Sequence, residues 1–316
     1  MEGRLGMNEV TPPLNVTQLN DRLAQVAAEL DIPVARARVM LCTLIVSQML
    51  PDAVAVKGGM GVKLRLGERG TRATSDLDVS TRVRGEQFEQ TFRARLAEGW
   101  GSVPASKGEL RRRSDAPDRV AFTATVRAVK LHDPGLARPE YVMHPYRVSI
   151  AFLGSAWGAL DVEVSDPEVD PYPHAAMEID GGLLQFGDYF GFGELQPVEL
   201  VELEYQIAQK IHAVTDPAYV RAHDLVDLQL LWNAGPDLLS LNSLCVRTFD
   251  WRRQQAWPPI PVRPMGGWDL AYSDARAETE VDGRTPVLSD VYTAREWLRQ
   301  IIQVIASSTD GVAKDA

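Results

Sequence analysis

The sequence predicts an α/β (α+β) fold in which a sheet-bearing core separates an N-terminal pair of helices from a mainly helical C-terminal region. Strand-like alternation of apolar and polar residues dominates residues 54–165. Helical periodicity dominates on either side, because apolar residues recur every three or four positions at 19–30 and 200–214. We therefore expect three parts, at residues 1–52, 53–195 and 196–316.

The N-terminal part is expected to form two packed helices. A stripe of apolar residues, with Thr17 as a cap, predicts the first helix over residues 17–30; the stripe comprises Leu19, Leu23, Val26 and Leu30. A second helix is expected after Pro33. The chain has two cysteines, Cys42 and Cys245, which is too few for a disulfide scaffold or a cysteine zinc site. A reducing compartment, the cytoplasm, is therefore expected.

The sheet-bearing core contains three segments in which apolar and polar residues alternate. Residues 120–126 and 146–152 show this alternation and predict two strands. Glycines at both ends of residues 154–158 predict a hairpin turn. The strand expected after that turn presents Asp161 and Glu163 on its polar face.

Two carboxylates, Asp76 and Asp78, follow a diglycine at Gly58 and Gly59. On a strand, side chains two residues apart share a face, so the two carboxylates converge while Leu77 points into the core. Converging carboxylates suit a hard cation such as Mg²⁺, which takes oxygen ligands from protein, phosphate and water. The glycine amides can face an anionic phosphate at a helix N-terminus. The pattern therefore indicates nucleotide and metal chemistry.

Length and composition indicate a globular chain. The 316 residues are 45% hydrophobic, enough for a sizeable core and roughly two domains. No run approaches the ~20 apolar residues of a membrane span, and the N-terminus MEGRLGMNEVTPPLN lacks the apolar core of a signal peptide. We expect no membrane association and no secretion. Metalloprotease, serine hydrolase and P-loop signatures do not occur in the sequence.

The charge of the chain is unevenly distributed. The net charge is −10, yet residues 1–160 carry 22 Lys and Arg against 17 Asp and Glu, and residues 161–316 carry 11 against 26. Basic residues gather around the diglycine motif and at 111–113. These clusters can bind a phosphate backbone, or they can belong to a solvated surface that binds no ligand.

A second group of polar residues lies in the helical region. Lys210 stands at the margin of an apolar helical stripe, where a lysine can bury its stem and hydrate its tip. Asp224 and Asp227 follow, three residues apart near the start of the next helix, where carboxylates also stabilise the helix dipole.

These motifs together resemble those of a known family. The segment from Lys57-Gly58-Gly59 to Arg72-Ala-Thr74-Ser75-Asp76-Leu77-Asp78 is similar to the opening motif of the minimal nucleotidyltransferase fold of DNA polymerase beta-like enzymes. In particular, it resembles AbiEii/AbiGii-type toxins of toxin–antitoxin systems, including the MenT group. A later part of the family pattern is matched by Glu204, Ala208-Gln209-Lys210, Arg221 and His223-Asp224-Leu225-Val226-Asp227-Leu228. The resemblance spans about residues 53–232 and implies a mixed sheet plus a C-terminal helical domain.

The resemblance also implies roles for individual residues. The nucleotide-binding residues it implies are Lys57, Gly58, Gly59, Arg72, Thr74 and Lys210. The catalytic residues it implies are Asp76, Asp78, Lys210 and Asp224. Lys210 would present a point charge to the triphosphate, and Asp224 would orient Lys210 or the substrate. Thr74 stands where many relatives have serine. We interpret Asp227 as a structural partner, of Arg221.

A third carboxylate on a neighbouring strand completes the metal site in polymerase-beta-like enzymes. By that resemblance, Asp161 would join Asp76 and Asp78 in holding two Mg²⁺ ions. Glu163 shares a face with Asp161, so the choice between the two stays open.

The function implied by the resemblance is nucleotidyl transfer by a growth-arresting toxin. Such an enzyme would move a nucleoside monophosphate from an NTP, a pyrimidine such as CTP, to the 3′ acceptor end of tRNA and so block translation. A cognate antitoxin encoded alongside would neutralise it. Two alternatives remain. In the first, the acceptor is a small molecule such as an aminoglycoside, or a protein side chain. In the second, the chain is a non-catalytic partner-binding protein on the same scaffold.

Overall fold

The computed structural model of the chain describes residues 10–83, 85–129, 143–169, 175–217, 220–260 and 266–308. Most of the N-terminal segment on which the signal-peptide expectation depends, residues 1–9, lies outside these ranges. Across the described ranges, no helix is long and apolar enough to cross a membrane. The chain divides into two compact units: the first comprises 1–56, 75–166 and 177–199, and the second comprises 57–74, 167–176 and 200–316.

Helices lie towards both ends of the chain, and the strands lie between them with further helices. The helices of the described ranges are α1 (Val16–Glu29), α2 (Val34–Ser47), α3 (Gly58–Leu66), α4 (Gly85–Glu98), α5 (Lys107–Arg112), α6 (Gly181–Asp188), α7 (Leu203–Thr215), α8 (Ala222–Trp232), α9 (Leu238–Arg252), α10 (Trp268–Ala277) and α11 (Val291–Ser307). The strands are β1 (Val54–Val56), β2 (Asp76–Thr81), β3 (Trp100–Val103), β4 (Arg119–Ala128), β5 (His144–Phe152), β6 (Ser155–Ser165), β7 (Ala175–Glu178) and β8 (Val198–Val201).

The sheet is mixed, as predicted. Its strand order is β3-β4-β5-β6-β2-β1-β8-β7. Strands β3 to β6 pair antiparallel with their neighbours, whereas β2 pairs parallel with β6 and antiparallel with β1. The predicted strands at 120–126 and 146–152 are confirmed as β4 and β5. Together with the helices, the sheet confirms the α/β fold class.

One face of the sheet in the first unit packs against α4. Phe88 of α4 lies 5.9 Å, ring centroid to ring centroid, from Tyr146 of β5. Tyr146, Val148 and Ile150 are buried and alternate with polar or exposed residues along the strand. Because successive side chains of a strand point to opposite faces, Arg147 lies on the face opposite to α4.

The turn between β5 and β6 differs from the prediction. Leu153 and Gly154 form the connection, and both have positive φ angles, 49° and 81°. A two-residue hairpin loop of this kind matches the twist of its strands, so β6 already begins at Ser155. The predicted turn at 154–158 is therefore wrong. Gly158 instead accommodates Cys42, because a Cβ there would stand 2.8 Å from the cysteine sulfur.

The two N-terminal helices are confirmed, with a different cap. The side chain of Asn15 accepts a hydrogen bond from the Gln18 amide and caps α1, so Thr17 lies inside the first turn. The apolar stripe of α1 is buried at Leu19, Leu23 and Val26. Helix α2 begins directly after Pro33, as expected.

The second unit is built from α3 and from α7 to α11. Helices α7, α8 and α9 contribute most of its described apolar core. The predicted helical stripe is buried at Ile207, Ile211 and Val214, but Leu200 lies in β8, and Leu203, the first residue of α7, is half-buried. Helix α11 buries Val291, Leu298, Ile302 and Ile305. Asp290 accepts from the amides of Tyr292 and Thr293, so the helix begins at Val291.

Candidate functional site

Strand β2 presents the two predicted carboxylates on one face. Leu77 and Val79 are fully buried, and they alternate with Asp76, which is exposed, and Asp78, which is half-buried. The alternation places both carboxylates on the same side of the sheet, as predicted. The Ser75 hydroxyl hydrogen-bonds to the Asp76 carboxylate at 2.8 Å.

The parallel pairing of β2 with β6 adds two more carboxylates to this face. Asp76 is the register partner of Asp161, and Asp78 is the register partner of Glu163. Register partners on adjacent strands share a face, so the sheet presents four carboxylates side by side on neighbouring strands. Both candidates for the third acidic residue thus lie next to the Asp76–Asp78 pair.

Asp161 already has a cationic partner on the strand beside it. Arg147 Nη1 lies 2.7 Å from Asp161 Oδ2, and the two side chains are 38% and 52% exposed. Within the part of the chain that the structure describes, no group of three or more His, Cys, Asp or Glu side chains is arranged to hold a metal ion. Asp76 and Asp78 nevertheless fit the donor set of Mg²⁺, which usually takes one or two carboxylates and completes its shell with phosphate and water. The third ligand, Asp161 or Glu163, stays a prediction.

The diglycine of the second unit forms the first turn of α3. Gly58 has a φ of +64°, a left-handed conformation that favours glycine. Its carbonyl accepts a hydrogen bond of 2.9 Å from Gln206 Nε2 of α7. The turn is therefore held by a residue that is 148 positions away in the sequence.

Gly59 lies in close contact with two other predicted nucleotide-binding residues. A Cβ added at Gly59 would stand 2.8 Å from Arg72 Nη2 and 3.1 Å from Thr74 Oγ1. A side chain at this position would therefore displace the guanidinium. The structure thus brings Gly59, Arg72 and Thr74 together in the second unit.

Arg72 is fixed by Asp227 of α8. The Nε and Nη2 atoms of Arg72 donate to the two carboxylate oxygens of Asp227, each at 3.0 Å. Burial opposes the charge of Arg72, but Asp227 outweighs this effect and raises the pKa of the guanidinium. Asp227 was interpreted as the partner of Arg221, and that interpretation is wrong, because Arg221 Nε instead donates to Asp224 at 2.7 Å.

Lys210 lies between the two carboxylates of α8. Its Nζ donates to Asp224 Oδ1 at 2.8 Å and to Asp227 Oδ2 at 2.7 Å. The lysine is only 6% exposed, so it does not hydrate its tip as a residue at a helix margin would. Burial alone would lower the pKa of Lys210, but Asp224 and Asp227 outweigh it and the pKa is raised. An ammonium has three donors, so the described contacts leave one for a phosphate oxygen.

Asp224 is held as an anion by this arrangement. Burial opposes its charge, but Lys210 and Arg221 hold the pKa of the carboxyl far below its usual range. Three cations, Arg72, Lys210 and Arg221, thus surround two carboxylates. A third carboxylate, Glu278, also raises the pKa of Arg72, so three carboxylates balance the charge of the three cations.

Lys57, the remaining predicted nucleotide-binding residue, is buried next to α3. Burial acts to raise the pKa of Glu168, but the charges of Arg252 and, less strongly, of Lys57 outweigh burial and lower the pKa. Arg252 Nη2 lies 2.9 and 2.7 Å from the two oxygens of Glu168. Lys57 therefore lies close to a second, partly buried group of charged residues in the same unit.

Sequence reasoning missed three residues that position the predicted ones. Gln206 holds the diglycine turn, Arg147 pairs with Asp161, and Glu168 lies near enough to Lys57 for the lysine charge to lower the pKa of Glu168. Arg147 had a detectable signal, since it is the one charged residue within the alternating segment 146–152. Gln206 and Glu168 had none, because their partners are distant in the sequence.

The chain is similar to known proteins over a range that includes both the carboxylates of β2 and the charged cluster around Lys210. A family model described as "Nucleotidyl transferase AbiEii toxin, Type IV TA system" matches residues 39–305. Among solved structures, MenT4, a nucleotidyltransferase toxin from Mycobacterium tuberculosis H37Rv, is similar at 18% identity with a TM-score of 0.47, covering 90% of this chain and 99% of MenT4. Among curated proteins none matches the chain. The range of the family model includes both the Asp76–Asp78 pair and the Lys210–Asp224 cluster.

Proposed function

The chain belongs to the AbiEii nucleotidyl transferase toxin family, and from that premise we propose that it transfers a nucleoside monophosphate from an NTP to the 3′ end of tRNA. It is a nucleotidyltransferase of a toxin–antitoxin system, so a cognate antitoxin is its partner. The finer proposal is that a pyrimidine nucleotide such as CTP is the donor, that Mg²⁺ is required, and that blocked tRNA halts translation in the cytoplasm.

The observation that carries the proposal is the register of β2 and β6. It aligns Asp76 with Asp161 and Asp78 with Glu163 on one solvent-accessible face. We propose that Asp76 and Asp78 hold Mg²⁺ and that Asp161 completes the site for a second ion. Bound Mg²⁺ would neutralise the charge of the triphosphate and polarise the α-phosphate. Carboxylates on rigid strands hold their positions without reorganisation, which suits a reaction that depends on positioning.

The cluster around Lys210 is proposed to bind the phosphates of the NTP. Lys210 has one donor beyond those that bind Asp224 and Asp227, and Arg72 is held in one orientation by Asp227. Both cations are charged at neutral pH, and the carboxylates raise their pKa values further despite burial. The Gly58–Gly59 turn would present backbone amides to the same phosphates.

The proposed reaction is a displacement at the α-phosphorus. A bond forms between the 3′ oxygen of the terminal tRNA ribose and the α-phosphorus, and the bond from that phosphorus to the β-phosphate oxygen breaks. Pyrophosphate leaves, and a carboxylate of the β2–β6 face accepts the proton of the hydroxyl. Charge neutralisation by fixed cations supplies most of the rate enhancement in such transfers.

The proposal is tested by incubating the protein with each α-labelled NTP and total tRNA, with Mg²⁺ or with EDTA. We expect label on tRNA, most strongly from CTP, and none with EDTA. Label on the protein itself, or on an added aminoglycoside in place of tRNA, would favour the alternative acceptors. NTP binding without transfer to any acceptor would favour the non-catalytic alternative.

A further inference from the structure

Two arginines lie side by side on the sheet face that carries the carboxylates. Arg127 of β4 is the register partner of Arg147 of β5, and Arg147 is the register partner of Asp161 of β6. Asp161 is in turn the partner of Asp76 of β2. These four residues form one row across four neighbouring strands, in which two cations are followed by two carboxylates. We call it the arginine–carboxylate row.

The arginine–carboxylate row is open to solvent. Tyr146, the neighbour of Arg147 in β5, packs against Phe88 of α4, so Arg147 points to the opposite face. Arg127, Asp161 and Asp76 are exposed and Arg147 is partly exposed. A ligand can therefore reach both guanidinium groups.

The two arginines are not explained by the stability of the sheet. Like charges directly opposite each other on antiparallel strands are destabilising. Asp161 offsets the charge of Arg147 through the 2.7 Å ion pair. Within the described ranges, the side chain of Arg127 has no hydrogen bond or ion pair. An anion placed between the two guanidinium groups would remove the repulsion.

We propose that Arg127 and Arg147 bind phosphodiester groups of the acceptor RNA, just upstream of the 3′ end that reacts at the carboxylates. The proposal rests on the transfer to RNA proposed above. A guanidinium presents a planar fork of donors that matches the oxygens of a phosphate. Asp161, which we propose above as a metal ligand, also orients Arg147 through their ion pair.

The spacing of the row favours a polynucleotide over a single nucleotide. Neighbouring strands are about 4.8 Å apart, so the backbone of Arg127 lies roughly 10 Å from that of Asp161. Cations at successive strand positions suit phosphates that lead away from the reacting end along a chain. The contiguous phosphates of one NTP would instead gather where Mg²⁺ is held.

The test is the affinity for labelled tRNA, measured by fluorescence anisotropy without NTP over a range of salt concentrations. The variants are Arg127→Gln and Arg147→Gln. The matched control is Arg95→Gln, which removes the same charge from a side chain that is 46% exposed on α4, the helix that covers the other face. We expect Arg127→Gln to weaken binding several-fold and to reduce the slope of log K against log salt by about 0.7 to 0.9. The control should match the unchanged protein.

Two further measurements separate the possible outcomes. The KM for NTP should stay unchanged in Arg127→Gln, and the midpoint of thermal unfolding should stay equal or rise, because a repulsion is removed. Unchanged RNA affinity and salt dependence in Arg127→Gln would overturn the proposal, as would a failure of the unchanged protein to bind RNA. A raised KM for NTP with normal RNA affinity would also overturn it, since the phosphates bound would be those of the nucleotide.

Failure of this proposal is distinguishable from failure of the proposed function. Transfer to tRNA together with normal RNA binding by Arg127→Gln would contradict only the role of the arginines. RNA binding that depends on Arg127, without nucleotidyl transfer to any RNA, would support the arginines as an RNA-binding pair and contradict only the proposed reaction.

Discussion

Asp227 accepts two hydrogen bonds from Arg72, each at 3.0 Å, although the two residues are 155 positions apart in the sequence. The same carboxylate also accepts from Lys210, so one buried anion positions two cations. Asp227 is therefore a positioning residue for the phosphate-binding cluster that we propose.

Replacing Asp227 with alanine should destabilise the protein by about 3 to 5 kcal/mol, because Arg72 loses both of its bonds to a carboxylate and buried Lys210 keeps only its bond to Asp224. Urea unfolding monitored by circular dichroism measures this loss. Asp115→Ala, which removes an exposed partner of Arg113, is the control and should leave the midpoint unchanged. Equal midpoints for the two variants would contradict the role of Asp227.

Adding a methyl group at Gly59 should reduce activity more than stability. A Cβ there would stand 2.8 Å from Arg72 Nη2, and Arg72 cannot move away without breaking its two bonds to Asp227. We expect Gly59→Ala to raise the KM for NTP and lower kcat. Gly181→Ala is the control, since a Cβ at Gly181 meets no atom within 4 Å. Normal kinetics in Gly59→Ala would show that Arg72 need not hold its present orientation.

The ion pairs of Asp224 predict a loss of stability in acid. Lys210 and Arg221 overcome the effect of burial and lower the pKa of Asp224 below its ordinary value of 3.8. A carboxylate with a lowered pKa contributes stability that is complete above the unfolded pKa and is lost as pH falls through the folded pKa. We therefore expect this contribution to be constant from neutral pH down to about 4 and to fade below 3.8.

The measurement for Asp224 is the urea midpoint at several pH values for the unchanged protein and for Asp224→Asn. The difference in urea midpoint between the two proteins should be constant above pH 4 and should shrink in stronger acid. A difference that stays the same at pH 3 would mean that Asp224 contributes through shape and not through charge.

His212 predicts a second pH dependence, between its unfolded and folded pKa values. Burial, with the nearby charge of Arg252, lowers the pKa of His212 from 6.5 to about 3, although Glu168 acts in the opposite direction. Arg252 Nη1 lies 3.1 Å from Nδ1 of the ring and can only donate, so Nδ1 accepts and the ring is neutral. The unfolded chain therefore binds a proton that the folded chain does not, and stability falls with pH below 6.5.

The slope expected from His212 is about 1.4 kcal/mol of unfolding free energy per pH unit. His212→Asn keeps an acceptor for Arg252 but removes the titration, so it should lose that slope between pH 6 and 4. The control is His144→Asn, at the exposed start of β5, which should keep the slope. If the unfolding free energies of the two variants changed with pH in parallel, this would contradict the buried neutral state of His212.

The local structure of β2 could be predicted because alternation alone decides which side chains are buried. Leu77 and Val79 are apolar and Asp76 and Asp78 are charged, so only one orientation of the strand keeps the carboxylates out of the core. The register with β6 could not be predicted in the same way, since it depends on a parallel pairing between strands about 85 residues apart. The third carboxylate was therefore predicted only by resemblance.

The environment of Lys210 was beyond the reach of helical periodicity. Periodicity placed the lysine at the margin of an apolar stripe and favoured a hydrated tip, whereas the structure buries the ammonium against two carboxylates of the next helix. Pairing with Asp224 and Asp227 compensates for the cost of burying the ammonium. No pattern within α7 can indicate this pairing. The prediction that Asp227 pairs with Arg221 is wrong for a related reason. Arg221 is close to Asp227 in the sequence, whereas Arg72 is close to it in space.

The measurement that tests the central claim most directly is the rate of label transfer from an α-labelled NTP to the 3′ end of tRNA. It compares the unchanged protein with Asp76→Asn and with Asp188→Asn, a control at an exposed carboxylate on α6. Periodate-oxidised tRNA, which lacks the 3′ hydroxyl, serves as the blank. We predict transfer to intact tRNA only, lost by about 100-fold or more in Asp76→Asn and retained in Asp188→Asn. Equal rates in the two variants, or no transfer from any NTP by the unchanged protein, would contradict the account.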